Sequence, residues 1–320
     1  MKKKYKNIEA VGILGLGSIG YRHAKNCLNQ KVKVFGFDEC DSKLKAAQKI
    51  GVDIVSRNKL IESTSNFIIC TPSFLHHRDL KFVLKGAKQV LVEKPITHNY
   101  LLTNNLLKKS KSVKVYTAFN LRFHVVVKEI KNFLKNGLLG RILWSNSVVC
   151  SDLRKWRPGT DYTNNYTNNL VAGVVINDYS HEIDLINFFF GKNKNVQGFI
   201  KNSQTLGLKV EDYSSIIMEN KTGIFSTINF DYCCGPSIRK GIIRGIKASL
   251  FYNLLKRRIK IIKNNGDVLF KKKYGSNFDE EYKDEIESFL KEKERHQLAS
   301  WQDGIEASKV IDKIYKKSGK

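Results

Sequence analysis

The stretch Ile8-Glu9-Ala10-Val11-Gly12-Ile13-Leu14-Gly15-Leu16-Gly17-Ser18-Ile19-Gly20 decides the fold. Residues 8–14 read as a buried strand that runs straight into a glycine turn. A helix from about Tyr21 to Leu28 follows, then a second strand, Val32 to Phe37, ending at Asp38. Strand, turn, helix and strand within about 30 residues make a βαβ unit. The glycines have separate duties. Gly15 allows the tight turn, Gly17 lets the backbone approach a pyrophosphate, and Gly20 lets helix and strand pack closely. With Ser18 and Ile19 they open the helix, whose free N–H groups and partial positive charge suit a phosphate. Asp38 stands where a carboxylate accepts hydrogen bonds from both hydroxyls of a ribose. It would repel a 2′-phosphate and no Arg follows it closely, so NAD is the expected cofactor and NADP the lesser one. A glycine-rich turn with Asp38 in a surface loop is the plainer alternative. The full strand–turn–helix–strand context argues against it.

Further strands are expected at Phe67–Cys70, Val90–Val92 and Val113–Tyr116, with helices at about 42–50, 76–86 and 99–110 between them. That alternation implies an α/β fold with a parallel sheet covered on both faces. The second half changes character. Ile142–Val149, Asn195–Lys201, Ser214–Met218, Gly223–Tyr232 and Lys240–Gly245 read as strands without long helices between them. Ile259–Ile262 and Val268–Phe270, joined through Asn264-Asn265-Gly266-Asp267, read as a hairpin. Two amphipathic helices at about 279–290 and 302–316 end the sequence. A length of 320 residues suits two domains. The expected division is a cofactor-binding domain over 1–123 and a substrate-binding and assembly domain over 124–320.

Charge is the most conspicuous property: 56 Lys and Arg against 30 Asp and Glu, a net +26. The excess is spread along the chain apart from short runs such as Lys256-Arg257-Arg258 and Lys271-Lys272-Lys273. No zinc-finger spacing, basic zipper or RNP-type aromatic motif accompanies them, so a nucleic-acid partner is not expected. An anionic substrate or an anionic membrane surface would fit the charge equally well. The six cysteines form no CxxC pair and suit neither a disulfide scaffold nor a metal site. No run of 18 apolar residues exists, so no membrane span is expected. The apolar stretch near the start is glycine-rich and lacks a small-residue cleavage site, which argues against a signal peptide. A cytoplasmic location is the expectation.

Four more segments carry chemistry: Cys70-Thr71-Pro72-Ser73-Phe74-Leu75-His76, Glu93-Lys94-Pro95, Asn120-Leu121-Arg122-Phe123, and Gly173 to Asp184 with its Asp178-Tyr179-Ser180-His181-Glu182-Ile183-Asp184 core. Together with Gly15 to His23 they resemble the Gfo/Idh/MocA family of NAD(P)-dependent sugar oxidoreductases, from about residue 8 to about 315. The resemblance implies a Rossmann domain followed by an α/β domain with a large, mostly antiparallel open sheet. It also implies a homodimer or homotetramer built on that sheet. It carries to Lys94 the relay of the hydroxyl proton and to His181 the part of acid/base, with Asp178 orienting the substrate. Many members place the aspartate four residues before the histidine, where this chain has Asn177, so either Asn177 or Asp178 could face the sugar. Thr71, Pro72 and His76 match the segment beside the nicotinamide, and Glu93 matches a ribose-side contact.

The residues support these roles by their own chemistry. Hydride transfer from a carbinol carbon needs a base for the hydroxyl proton and a site closed to water. Lys94 lies at the carboxyl end of a strand, where ligands bind in such sheets. An imidazole such as His181 exchanges protons near neutral pH; the plainer alternative is a packed core residue behind a cap at Asp178 or Ser180. Asp178, His181 and Asp184 have a spacing that puts at least two of them on one helical face. Arg122 could hold an anionic group or form a helix-end ion pair. Trp156, Arg157 and Tyr162, with Tyr166 nearby, suit sugar stacking and carboxylate or phosphate pairing, or simply a structural loop. That loop resembles the one in family members from bacterial surface-glycan gene clusters, which implies a nucleotide-linked or acidic sugar as substrate. Two rivals stand beside a net oxidoreductase: an enzyme that retains NAD for a non-redox glycosidase or epimerase reaction, and a regulator that binds NAD without turnover.

Overall fold

The computed structural model describes residues 8–156, 161–164, 168, 175–233, 235–275, 279–291 and 294–317. The first six strands are β1 (Ala10–Leu14), β2 (Lys33–Phe37), β3 (Asp53–Ile54), β4 (Asn66–Ile69), β5 (Gln89–Glu93) and β6 (Lys114–Ala118). All of them pair in parallel. Helices α1 (Ser18–Asn29), α2 (Asp41–Lys49), α3 (Arg57–Ser63), α4 (His76–Val83) and α5 (Tyr100–Lys109) connect them. The spatial order is β6-β5-β4-β1-β2-β3, so the direction of winding reverses between β1 and β4. Val11, Ile13, Leu14, Ile68, Ile69, Leu91 and Val92 are buried on both faces of this sheet, which is why these strands read as unbroken apolar runs.

The second half begins with α6 (Val125–Lys135), started by the His124 imidazole, whose Nδ1 accepts from the Val126 N–H at 3.1 Å. Then come β7 (Ile142–Cys150), α7 (Val175–Asp178), α8 (Ser180–Phe190), β8 (Asn193–Lys201), β9 (Tyr213–Asn220), β10 (Phe225–Asp231), β11 (Ile238–Gly245), β12 (Ala248–Asn253), β13 (Arg258–Lys263) and β14 (Val268–Lys273). They form one eight-stranded sheet, ordered β14-β13-β12-β11-β7-β10-β9-β8, antiparallel except where β7 meets β10. One face is core, with Ile216, Met218, Ile228 and Phe230 buried. The register puts Trp144, Phe225, Ile217 and Phe199 together on the other face, where Trp144 is 41% and Phe199 74% exposed. Toward β14 the same face turns basic: Arg258 stands opposite Lys273 and Lys260 opposite Lys271.

The chain then returns. α9 (Glu280–Lys291) buries Ile286, Phe289 and Leu290 in the same core as Ile13, Ile68 and Leu91. At roughly 2 kcal/mol per large apolar side chain removed from water, this attachment is substantial. β15 (Ala299–Ser300) adds antiparallel to β6, and α10 (Trp301–Lys317) closes the described chain. The compact units are therefore 1–123 with Asp279–Ser308, and His124–Phe278 with Lys309–Lys320. A single cut at 123 places α9 in the wrong unit, because amphipathicity shows that a helix has an apolar face without showing which core receives it.

Three local differences have physical reasons. α1 starts at Ser18 instead of Tyr21, because Gly17 is already its N-cap and accepts from the Tyr21 N–H at 2.8 Å. β3 and α3 were not foreseen; α3 buries only Leu60, so it shows no apolar period. β12 was not foreseen either, since its buried residues Ala248, Ser249 and Leu250 are consecutive and do not alternate. Among the described residues, no helix is long and apolar enough to cross a membrane.

Candidate active site

Five loops of the first unit gather at the carboxyl ends of its parallel strands, beside the reversal between β1 and β4. The glycine loop leaves β1. Gly15 has φ +86°, and a Cβ there would lie 2.7 Å from the backbone of Cys70 and Thr71. A Cβ at Gly20 would lie 1.9 Å from the Gly15 carbonyl oxygen. A Cβ at Gly17 would meet no atom within 4 Å. Two glycines are thus required by the protein itself, while Gly17 leaves open space in front of the α1 N-terminus. That space is what a dinucleotide pyrophosphate needs. An adjoining groove of about 530 Å³ is lined by Gly17, Ser18, Arg22, Lys25, Ser42 and Lys43 among others, with one carboxylate, Asp279, paired to Arg22 at 3.5 Å.

Asp38 follows β2 and does more than its sequence position suggests. Its Oδ2 accepts from the Leu16 N–H at 2.7 Å and its Oδ1 from the Cys40 N–H at 2.9 Å. It therefore braces the glycine loop. Lys43 Nζ lies 3.6 Å from it, a cation that a search for Arg overlooked.

Thr71 and Pro72 follow β4. The Thr71 hydroxyl donates to Asp79 Oδ2 at 2.7 Å, and fully buried Asp79 also accepts from Arg57 at 2.5 Å and Arg78 at 3.1 Å. This brace was missed, because nothing in the sequence marks Asp79 apart from an ordinary first-turn acid. His76 requires a correction. It is 1% exposed, with Nδ1 2.9 Å from the Pro95 carbonyl and Nε2 2.9 Å from the Thr71 carbonyl. It is packed between the two loops, where a neutral ring with one N–H donates to one of these carbonyls at a time, and it offers no exposed ring edge to a cofactor. Burial pushes its pKa below the ordinary histidine range, against both hydrogen bonds. His98 adds a second clamp to Ser73 at 2.7 Å, and burial, then His76, pushes its pKa down to about 4.

Glu93 ends β5 with its side chain 14% exposed. Its Oε1 is 2.8 Å from His23 Nε2, and its Oε2 accepts from the Lys94 N–H at 3.2 Å. Lys94 is half-buried, and the peptide to Pro95 is cis. Arg122, expected near substrate, is 4% exposed with Nη1 3.4 Å from Asp303. That ion pair is present, and Ser300 fixes the same carboxylate from its N–H and hydroxyl at 2.9 Å.

In the second unit, Asn177, Asp178 and His181 are all buried. The expected continuous helix is broken: Asp178 ends α7, Tyr179 is the N-cap of α8, and His181 lies in the first turn of α8. Neither Asp178 nor Ser180 caps that helix. Tyr232, fully buried at the end of β10, donates its hydroxyl to Asp178 Oδ2. Glu182 takes Arg239 in a bidentate pair at 2.6 and 3.0 Å. Trp156 donates to Ser151 Oγ at 2.7 Å and sets its ring edgewise against Tyr179 and Tyr232. Tyr162 donates to the Leu206 carbonyl at 3.2 Å. Arg157 and Tyr166 lie outside the described residues.

Comparison with known proteins follows the same division. Residues 10–120 match the oxidoreductase family with an NAD-binding Rossmann fold, and residues 127–251 match the GFO/IDH/MocA C-terminal domain. A myo-inositol 2-dehydrogenase of Thermotoga maritima is 22% identical over 232 residues, 68% of this chain and 67% of that protein. A glucose-6-phosphate 3-dehydrogenase of Bacillus subtilis is 24% identical over 249 residues, 72% of this chain and 69% of that protein. A levoglucosan dehydrogenase solved in complex with NADH has a TM-score of 0.84 at 16% identity, over 98% of this chain and 97% of that one. Both halves of the chain, in order, match the two halves of one family, and the chain belongs to the Gfo/Idh/MocA oxidoreductases with an NAD-binding Rossmann fold.

Proposed function

We propose that the chain exchanges a hydride between a sugar hydroxyl carbon and NAD, with the sugar nucleotide-linked or acidic and used in bacterial surface-carbohydrate synthesis. The observation that carries the redox reading is the pairing of two features on one sheet edge. The open space before Gly17 accommodates a dinucleotide, and Glu93-Lys94-Pro95 closes a strand two places away. NAD, when bound, supplies the hydride acceptor. Lys94 hydrogen-bonds the reacting hydroxyl and relays its proton. His181 serves as acid/base, and Asp178, held by Tyr232, orients the hydroxyl. The clamps at His76 and Asp79 keep the Thr71 loop in place against the cofactor.

The substrate class rests on the Trp156–Tyr162 segment, whose residue types suit a sugar bearing phosphate or carboxylate. The two curated relatives act, by their names, on an inositol and on a sugar phosphate. The exposed row of Trp144, Phe225, Ile217 and Phe199 supports a homodimer or homotetramer, since such a patch is unusual on a monomer. A cytoplasmic location goes with this reading. The test is a panel of nucleotide sugars, sugar phosphates and sugar acids with NAD and NADP, followed at 340 nm. A sugar that drives NAD reduction or NADH oxidation supports the proposal. Product formation without any net absorbance change would replace it with the non-redox alternative.

A further inference from the structure

His23 has no part in the reading above, yet it is a fully buried polar group touching the cofactor loops. It lies one turn beyond Gly20 on α1, with 0% exposure. Its Nε2 is 2.8 Å from Glu93 Oε1 across 70 residues of sequence. Its Nδ1 is buried and has no hydrogen-bond partner among the described residues. A proton on Nδ1 would be a stranded donor, so the satisfiable arrangement puts the proton on Nε2, donating to the carboxylate. The far side is closed by the returning C-terminal segment. Tyr282 of α9 sets its ring edgewise to the imidazole at 6.0 Å, and Arg22 lies over that ring at 4.6 Å while reaching Asp279 at 3.5 Å. Burial, then Glu93, pushes the Tyr282 phenol up to about 12.

We infer that His23 is a positioning residue for the cofactor site: it ties the pyrophosphate-binding helix to Glu93 and so fixes that carboxylate as the contact for the ribose on the nicotinamide half of the cofactor. The inference rests on the proposed contact between Glu93 and the cofactor. Glu93 has one oxygen on His23 and the other on the Lys94 N–H, so its rotamer has little freedom left. Removing the imidazole donor frees the carboxylate to turn toward solvent. It also loosens the backbone N–H of Lys94, the residue proposed to relay the proton. The adenosine side is braced separately, by Asp38 on the Leu16 and Cys40 N–H groups.

The test uses the full-length protein with NADH and AMP as probes, NADH by fluorescence titration and AMP by calorimetry. His23→Leu is expected to raise the NADH Kd about tenfold, the effect of one lost hydrogen bond to a charged group, and to leave the AMP Kd within about twofold. His23→Gln, which returns an N–H donor at similar reach, is expected to recover NADH binding to within about threefold. Glu93→Gln should weaken NADH like His23→Leu, and the double variant should be no worse than either single one. Should the leucine variant not fold, His23→Asn, whose donor falls short of Glu93, takes its place. Equal losses for AMP and NADH would mean general loosening and overturn the inference, as would unchanged NADH binding in His23→Leu. An unaffected Glu93→Gln variant would instead sink the parent reading of Glu93, and the inference with it.

Discussion

Gly17→Ala and Gly20→Ala should fail in opposite ways, although the two glycines sit three residues apart in one motif. At Gly20 the added methyl would begin 1.9 Å from the Gly15 carbonyl oxygen and 3.3 Å from Cys70 Cβ. The first distance falls more than an ångström short of an ordinary contact, and the obstacle is backbone. Either α1 or the glycine turn must shift, at a cost of about 1–3 kcal/mol or more, against a helix-propensity gain of at most about 1 kcal/mol. A melting temperature lower by several degrees follows, at about 2–4 °C per kcal/mol for a domain of this size. At Gly17 the methyl meets nothing and φ is −65°, open to alanine. Stability should change by only about 0.5 kcal/mol, the difference between Gly and Ala at an N-cap. The methyl then occupies the space proposed for the pyrophosphate, so NADH affinity should fall by about tenfold or more. The assay is a thermal melt without ligand beside an NADH titration. A Gly17→Ala variant that melts as early as Gly20→Ala, or that binds NADH normally, would refute the reasoning.

Other consequences are open to measurement. Tyr232→Phe takes a buried donor from Asp178 and should cost about 1–3 kcal/mol; an unchanged urea midpoint would speak against that contact. Mild acid should weaken the fold through two histidines. The pKa values of His98 and His124 are pushed down to about 4, in both cases chiefly by burial, so the unfolded chain binds more protons below pH 6.5. Their contribution is complete above about pH 6.5. It is lost as pH falls toward 4, by about 1.4 kcal/mol per pH unit for each group. Urea melts at pH 7.5, 6 and 5 should show the decline, and a flat profile would contradict it. Replacing both Lys271 and Lys273 by Thr removes like charges facing Lys260 and Arg258 across the β13–β14 pair. The melting temperature should rise slightly while edge-to-edge association appears in light scattering at high concentration.

The cofactor half of the site was legible because its chemistry is local. The turn at Gly15, the cap at Gly17 and the carboxylate at Asp38 depend on neighbours a few residues away, or on the next strand in a βαβ unit whose geometry is nearly invariant. The partners that position these groups come from farther off and leave no pattern. Asp79 reaches Thr71, His23 reaches Glu93 and Tyr232 reaches Asp178 only once the strands are laid side by side. His76 shows the reverse case. A histidine after a strand-end Thr-Pro reads as a ligand contact, yet the ring is buried between two carbonyl oxygens that compete for its single N–H. The break at Tyr179 escaped for a related reason: a spacing of three residues fits a helix whether or not the backbone continues through it.

The route of α9 back into the first core sets a schedule for synthesis. When Phe123 leaves the ribosome, all six parallel strands have been made, but Ile286, Phe289 and Leu290 have not. At about 5–20 residues per second, those side chains arrive roughly 8–33 s later. Through that interval the sheet stands with part of one face bare beside Ile13, Ile68 and Leu91. A nascent chain of this protein is therefore a substrate for chaperones over its whole second half. A nonsense mutation anywhere before Glu280 would leave an unfinished cofactor unit for proteolysis, and not an N-terminal domain that still binds NAD.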